Sequence, residues 1–375
     1  MGRSIGRGTG MGNGYAISGR KEKWLRFLRN EGCERTMYLI DAEGEMDGTG
    51  QRPLPWPGLV EGRIAWAVEN YNLRMDQAGW LDDDRVPCLS PYTGTQIFAE
   101  AFGCKVHYPA NDMPFALPMF DNMRAVSSLR VPKVHDTPLS TLFEIGRRLR
   151  QKAGPDATMQ LPDVQSPLDI AALIVNKEEF YVAMHETPQA VHELTAKTKA
   201  LLTAFFDEWF LEFGASYIAH YPAYYMEGGI TLSEDEVGAF GSGMFNEFVL
   251  GSLNELSARY GGIGIHCCAD SMHQWGNLLE VKGLQMLNLC NKFDFIERSI
   301  KYIGGAVAQW PIADLLPPPG EAPQWLAGCP EDARVVLMYR APNRHTAQET
   351  AKRARELAQK RGEAAAAAAA VPGGS

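Results

Sequence analysis

Short runs of consecutive apolar residues alternate with longer segments of helical periodicity through the second half of the chain. The runs that predict strands are TMQLPDV, SYIAHYP, GIGIHCC, LQMLNLC, AVAQWPI and RVVLMYR. The segments between them carry apolar residues at helical spacing, as in FDFIERSIKYI and AQETAKRARELAQK. Strands that are apolar throughout are typical of parallel sheets covered by helices. The pattern therefore predicts repeated β/α units.

These units, together with strands expected from the less regular first half, predict an α/β protein built as a (β/α)8 TIM barrel with an N-terminal helical and loop extension. A doubly wound open sheet is the second interpretation, but no Gly-x-Gly-x-x-Gly turn follows a predicted strand. Polar residues stand at nearly every predicted strand end. In a barrel these ends converge on one opening.

Composition along the chain predicts four regions. Residues 1–20 begin with recurring glycines and are expected to form a flexible tail, and residues 21–90 a helical and loop extension packed on the barrel. Residues 37–58 are rich in glycine, proline and acids, which favours a loop passing over a surface. Residues 91–361 would form the barrel and residues 362–375 an alanine-rich tail.

Charge and hydrophobicity limit the classes of partner. The chain has 36 basic and 45 acidic side chains, a net charge of −9, which argues against nucleic acid or an anionic membrane as partner. The longest wholly apolar run, residues 364–371, is too short to cross a bilayer, and residues 1–14 do not resemble a secretory signal. The seven cysteines form no evident disulfide framework. We therefore expect a cytoplasmic protein that acts on a small molecule.

The sequence His266-Cys267-Cys268 at a predicted strand end is the sharpest chemical signal. Residues two apart on a strand face the same side, so His266 and Cys268 share a face and Cys267 points away. Imidazole nitrogen and thiolate sulfur are ordinary zinc ligands, but a catalytic zinc normally has three protein ligands. The spacing favours a metal site with a third ligand from elsewhere, and a buried histidine flanked by small apolar cysteines is the other interpretation.

Several segments together resemble the uroporphyrinogen decarboxylase superfamily. They are PYTGTQIFAEAFGC, DVQSPLDIAALI, ITLSEDEVGAF followed by MFNEFVL, and GGIGIHCC, and the resemblance covers roughly residues 90–360. It implies a single (β/α)8 barrel with its active site at the carboxyl ends of the strands. Two branches of the superfamily then have to be distinguished.

The heme-pathway decarboxylases grip substrate carboxylates with an N-terminal arginine motif. The matching stretch here holds Asp41, Glu43, Glu45 and Asp47, with Arg52 as the nearby cation, so we expect uroporphyrinogen not to be a substrate. In the cobalamin-linked methyltransferases, zinc binds a His-x-Cys strand end and a later cysteine. His266 and Cys268 match the first part, but Arg340 and Ala341 stand where the family has Gly-Cys. Cys290 or Glu227 is the expected third ligand.

The resemblance implies a methyltransferase that moves a methyl group between a small substrate and a corrinoid protein. No corrinoid-binding motif is present, so the cobalamin would arrive on a separate carrier protein, and zinc would bind at His266, Cys268 and Cys290. Two other hypotheses stay open. One is a decarboxylase of a non-porphyrin acid, and the other is a barrel that only binds.

The remaining candidates also lie near predicted strand ends. Asp163, Glu227 and Asp235 are candidate acids or bases. Tyr221, Tyr224 and Tyr225 offer rings that attract a methylammonium group, and Trp310 and Arg340 complete the substrate-binding candidates. We expect His266, Cys268, Asp163, Glu227 and Trp310 to line one cavity, because each ends a different predicted parallel strand.

Overall fold

The computed structural model describes residues 10–45, 50–312 and 316–370. Its strands are β1 (Thr36–Ala42), β2 (Val106–His107), β3 (Phe115–Ala116), β4 (Met159–Gln160), β5 (Ser216–Ile218), β6 (Tyr225–Glu227), β7 (Ile230–Ser233), β8 (Ile263–Cys267), β9 (Leu284–Leu289), β10 (Ala308–Gln309) and β11 (Arg334–Ala341). Most are short and apolar, in line with a buried parallel sheet.

Helices follow or separate most of these strands. They are α1 (Gly10–Arg29), α2 (Val60–Ala78), α3 (Ile97–Ala101), α4 (Ser140–Ala153), α5 (Pro167–Ile174), α6 (Lys177–Glu186), α7 (Pro188–Phe213), α8 (Ser242–Phe248), α9 (Leu250–Tyr260), α10 (Trp275–Leu279), α11 (Phe293–Ile303) and α12 (Arg344–Ala370). None of the helices in the described part of the chain is both long and apolar enough to cross a membrane.

The strands form a (β/α)8 barrel, as predicted. Six of them make a parallel sheet in the order β1-β11-β10-β9-β8-β7. Parallel bridges continue the ring from Ser233 of β7 to Gln165 and from Met159 of β4 to Leu89. The Asp84 N–H donates to the Tyr38 carbonyl at 3.0 Å, which brings the segment before Leu89 against β1. The strand at Leu89 therefore occupies the second position of the barrel.

Strand β1 corrects the prediction for the first half of the chain. Residues 36–42 are not a surface loop, because they pair in register with β11 along their whole length and are almost fully buried. The acidic and glycine-rich residues that follow Asp41 hid this strand. The N-terminal region therefore contributes to the barrel itself as well as packing on it.

Helix α1 corrects the prediction of a flexible tail over residues 1–20. The helix begins at Gly10, whereas residues 1–9 lie outside the described part of the chain. Arg20 ties it to the barrel, since its guanidinium donates to the carbonyls of Leu81 at 2.5 Å and Arg85 at 2.7 Å. At the other end, alanines favour helix strongly, and α12 continues to Ala370 through most of the predicted alanine-rich tail.

Strands β5 and β6 form a hairpin that the sequence pattern did not reveal. β5 runs parallel to β4, and β6 returns antiparallel to β5, with Tyr225 opposite Ile218 and Glu227 opposite Ser216. The turn at residues 219–224 therefore lies at the carboxyl end of β5, and Glu227 lies at its amino end. This reversal decides which of the predicted residues reach the active-site face.

Candidate functional site

Donor atoms of Asp235, His266 and Cys268 lie within 4.8 Å of one another at the carboxyl ends of β7 and β8. We call these three residues the ligand cluster. Parallel pairing places Ser233 opposite His266, so Asp235 and Cys268 each follow the paired positions by two residues. The Cys268 N–H also donates to Asp235 Oδ1 at 2.6 Å. Strand register and this hydrogen bond together hold the three side chains at one point of the barrel mouth, the opening formed by the strand ends.

The orientation of His266 is set by a buried asparagine on β9. The His266 Nδ1–H is directed at Asn288 Oδ1 at 2.5 Å, and Asn288 Nδ2 donates to the Trp310 carbonyl at 2.5 Å. The amide is thereby oriented with its oxygen toward the imidazole. This arrangement favours the tautomer that leaves Nε2 as the free acceptor. It is the hydrogen bonding that metal-binding histidines commonly have.

The three cysteines near this site occupy different environments. Cys267 is fully buried on the opposite face of β8, as the strand pleat predicts. Burial, followed by the charge of Asp235, raises the pKa of Cys268 to about 12, so its thiol is neutral at pH 7 without a cation. Cys290 lies close enough to raise the pKa values of Cys268 and Tyr221, but it is not part of the ligand cluster. The structure thus brings Asp235 to the position for which Cys290 or Glu227 was expected.

Asp163 and His220 form a second polar pair at the mouth. The His220 Nε2 atom lies 3.3 Å from Asp163 Oδ2, and both side chains are largely buried. Among the described residues, the buried His220 Nδ1 has no hydrogen-bond partner. The next residue, Tyr221, places its ring edge-on to His266 with 4.8 Å between ring centroids. The hairpin turn therefore supplies one wall of the site, and of the three tyrosines that the sequence offered there, Tyr221 is the one that lies beside His266.

A pair of buried carboxyl groups lies beneath the ligand cluster. The Asp169 carboxylate accepts the N–H groups of Asp235 at 2.8 Å and Glu236 at 3.1 Å, and it contacts the buried Glu234. Burial and then the charge of Glu234 raise the pKa of Asp169, and burial raises the pKa of Glu234 to about 7. One proton shared by the pair would let the two carboxyl groups hydrogen-bond to each other.

Four predicted site residues lie elsewhere in the molecule. Glu227 is exposed at the opposite end of β5 because the hairpin reverses the chain, so the prediction that it shares a cavity with His266 is wrong. Tyr224 and Trp310 are buried in the core against Trp24, with ring centroids 6.1 Å and 6.0 Å from it. Tyr225 is also buried, with the Lys21 ammonium 5.2 Å from its ring. These aromatic side chains stabilise the fold instead of lining the mouth.

The other half of the mouth contains an arginine-rich cavity of about 610 Å³. We call it the arginine cavity, and its charged lining residues are Asp41, Glu43, Arg52, Arg74, Arg85 and Arg340. Arg340 is where the sequence placed it, at the end of β11 opposite Asp41. Arg74 on α2 and Arg85 before the second barrel strand were not predicted, because they are distant in sequence from the acidic loop that follows β1.

Comparison with known proteins agrees with this architecture. Residues 91–308 match the family model for uroporphyrinogen decarboxylase (URO-D), and the chain belongs to that family. Its fold is similar to that of a methyltransferase from Methanosarcina mazei, with a TM-score of 0.62, 16% sequence identity and coverage of 90% of this chain and 98% of the other. At that identity the likeness concerns the fold. No curated protein matches the sequence significantly.

Proposed function

We propose that this protein is a methyltransferase that moves a methyl group between a small substrate and a corrinoid carried by a separate protein. The ligand cluster carries the proposal, because a histidine, a cysteine and a carboxylate converge at the strand ends of a URO-D barrel. The likeness in fold to a methyltransferase supports it. A barrel that only binds would not need such a set of metal donors.

The residues of the ligand cluster suit zinc. Nitrogen, sulfur and carboxylate oxygen are all zinc ligands, and three protein ligands leave the open position that catalytic zinc sites keep. When bound, zinc would act as a Lewis acid that lowers the pKa of a substrate thiol, and it would convert Cys268 to the thiolate. His266 would bind through Nε2, because Asn288 occupies Nδ1.

The surrounding residues would position the substrate and handle protons. Tyr221 covers one side of His266, so a substrate at the ligand cluster would contact its ring. The Asp163–His220 pair offers a carboxylate and an imidazole at hydrogen-bonding range of each other, the combination that general acid–base chemistry uses. We assign to this pair the transfer of the proton that a substrate thiol or amine gains or loses.

Zinc analysis of cysteine variants tests this proposal. Protein purified without chelators should contain one zinc per chain, and Cys268→Ala should lose it, whereas Cys267→Ala and Cys290→Ala should retain it. Cys267→Ala is the matched control, since it removes the neighbouring thiol on the opposite face of the same strand. Equal zinc in Cys267→Ala and Cys268→Ala would contradict the ligand assignment, and absence of zinc from the wild type would remove the metal from the mechanism.

Decarboxylation of a non-porphyrin acid is the second candidate function, and the arginine cavity is the observation that favours it. In that reaction Asp163 would protonate the carbanion as carbon dioxide leaves. Uroporphyrinogen itself has eight carboxylates, whereas the described lining of the cavity has four arginines and two acids. Incubation with uroporphyrinogen under anaerobic conditions should yield no coproporphyrinogen. A decarboxylase would also keep its activity in Cys268→Ala, which separates it from a zinc-assisted methyltransferase.

A further inference from the structure

The arginine cavity is built from parts of the chain that are far apart in sequence. Arg74 comes from α2, Arg85 from the segment after it, and Arg340 from the end of β11, where Asp41 of β1 pairs with it in register. Gln160 of β4 and Ala223 of the hairpin turn also line it. Because that turn also carries His220 and Tyr221, the cavity borders the half of the mouth that holds the ligand cluster.

Positive charge exceeds negative charge in the described lining of this cavity. Arg74 and Arg85 both donate to a single oxygen, Asp41 Oδ1, at 3.0 Å and 2.7 Å. Arg340 lies 3.7 Å from the exposed Glu43. Four guanidinium groups therefore face two carboxylates. Asp83 does not change this excess of two, because it pairs with Arg20 at 3.2 Å behind the cavity.

The arginines keep unused hydrogen-bonding capacity. Arg85 Nε is buried without a hydrogen-bond partner among the described residues, and Asp83 Oδ2 is 3.9 Å from it. The Arg52 guanidinium lies over the ring of Tyr92, 3.5 Å from its centroid, which holds it at the cavity wall. Burial and then the charge of Arg85 lower the pKa of Arg74 to about 10, so the two cations are held together at a cost in free energy. A negative charge in the cavity would reduce that cost.

We propose that the arginine cavity binds the oxyanion group of the substrate, a carboxylate or a phosphate that carries one or two charges. Guanidinium groups recognise both through paired, charge-assisted hydrogen bonds, and the excess of two positive charges in the described lining matches a small anion. The anion would hold one end of the substrate while its reacting end lies at the ligand cluster. In this respect the inference rests on the proposed function, although anion binding itself can be measured without turnover.

Calorimetric titration of the full-length protein tests this site. Inorganic phosphate and malonate serve as probes, at constant ionic strength in chloride. The wild type should show saturable binding of at least one probe. The double variant Arg52→Gln, Arg340→Gln should bind it about tenfold or more weakly, since each charge-assisted hydrogen bond contributes on that order. Both side chains are exposed, so the variant should fold, and Arg147→Gln on α4 is the matched surface control.

The outcomes distinguish a phosphorylated substrate from a carboxylic acid. They also test this inference separately from the proposed function. Tighter binding of phosphate would indicate a phosphorylated substrate, and tighter binding of malonate a carboxylic acid. Absence of saturable binding in the wild type, or equal affinity in the double variant, would overturn this inference. Zinc content is measured on the same samples. Stoichiometric zinc without anion binding leaves the proposed function standing, whereas anion binding without zinc supports the cavity and contradicts the metal site.

Discussion

Carboxyl groups are neutralised in different ways in the two halves of the barrel mouth. In the arginine cavity, the charges of Arg85 and Arg74 outweigh the effect of burial and lower the pKa of Asp41, so that it stays ionised. Beneath the ligand cluster, burial raises the pKa values of Asp169 and Glu234, the charge of Glu234 raises that of Asp169 further, and a proton takes the place of a cation. One half therefore holds permanent charges, and the other holds a charge that depends on pH.

This difference shows how the same residue type serves two purposes. Asp41 orders two arginines without cancelling them, which leaves the cavity positive. Asp169 instead holds the backbone N–H groups of residues 235 and 236, and so positions Asp235 beside Cys268. A buried carboxylate can therefore orient charged side chains, as Asp41 does, or backbone N–H groups, as Asp169 does. The groups that donate hydrogen bonds to it determine which role it has.

The largest expected effect comes from removing the charge of Asp41. Asp41→Asn leaves Arg74 and Arg85 close together without their shared carboxylate, and the free energy of unfolding should fall by about 2–3 kcal/mol. Urea unfolding of the variant and of Glu43→Gln measures this, because Glu43 makes only an exposed contact with Arg340. Similar small losses in both variants would show that Asp41 does not order the cavity.

The second prediction concerns the orientation of His266. Asn288→Ala removes the acceptor at Nδ1, and zinc affinity should fall about 10–100-fold, the usual effect of losing such a hydrogen bond. Competition with a chromogenic chelator measures the affinity. Asn277→Ala is the control, since Asn277 is a buried asparagine that bonds Ser242 and Gln274 away from the cluster. An equal loss of affinity in both variants would indicate general destabilisation.

The third prediction is a pH dependence of stability. Because the folded-state pKa of Glu234 is raised to about 7, the folded protein binds more protons than the unfolded chain from about pH 4.5 to 7. The contribution of Glu234 to the free energy of unfolding is therefore present at low pH and is lost as the pH rises through that window. Glu234→Gln should flatten this decline of stability between about pH 4.5 and 7. Unfolding curves at several pH values test it, and Glu193→Gln, an exposed residue paired with Lys197, should keep the wild-type slope.

The smallest expected effect is that of Arg340 on stability. Its contact with Glu43 is long and exposed, so Arg340→Gln should change the free energy of unfolding by about 0.5 kcal/mol or less. The denaturation midpoint provides the measurement. If Arg340→Gln lowered the free energy of unfolding as much as Asp41→Asn, Arg340 would be needed for the structure of the cavity and not only for binding.

The sequence predicted the features that depend on residues close together along the chain. Continuous apolar strands and helical periodicity indicated β4, β5, β8 to β11 and the helices among them, although β7 was not predicted. The strand pleat placed His266 and Cys268 on one face with Cys267 on the other. β1 was missed because acidic residues follow it directly, and the β5–β6 hairpin because its two strands read as one strand end. Arg74 and Arg85 reach the mouth only through tertiary packing, which no short window of sequence shows. Asp235 joins the ligand cluster through strand register, which sequence alone does not specify.

The pairing of β1 with β11 also affects how the chain is expected to fold. Thr36 lies opposite Val335, so the contact closes a loop of about 300 residues. Contacts so distant in sequence form slowly, because the entropy of closing the loop is lost before the pairing stabilises it. On the ribosome, β1 would remain an unpaired apolar edge until nearly all of the protein had been synthesised. A product that terminates before residue 334 would expose that edge permanently, and it should aggregate or be degraded while the complete chain folds.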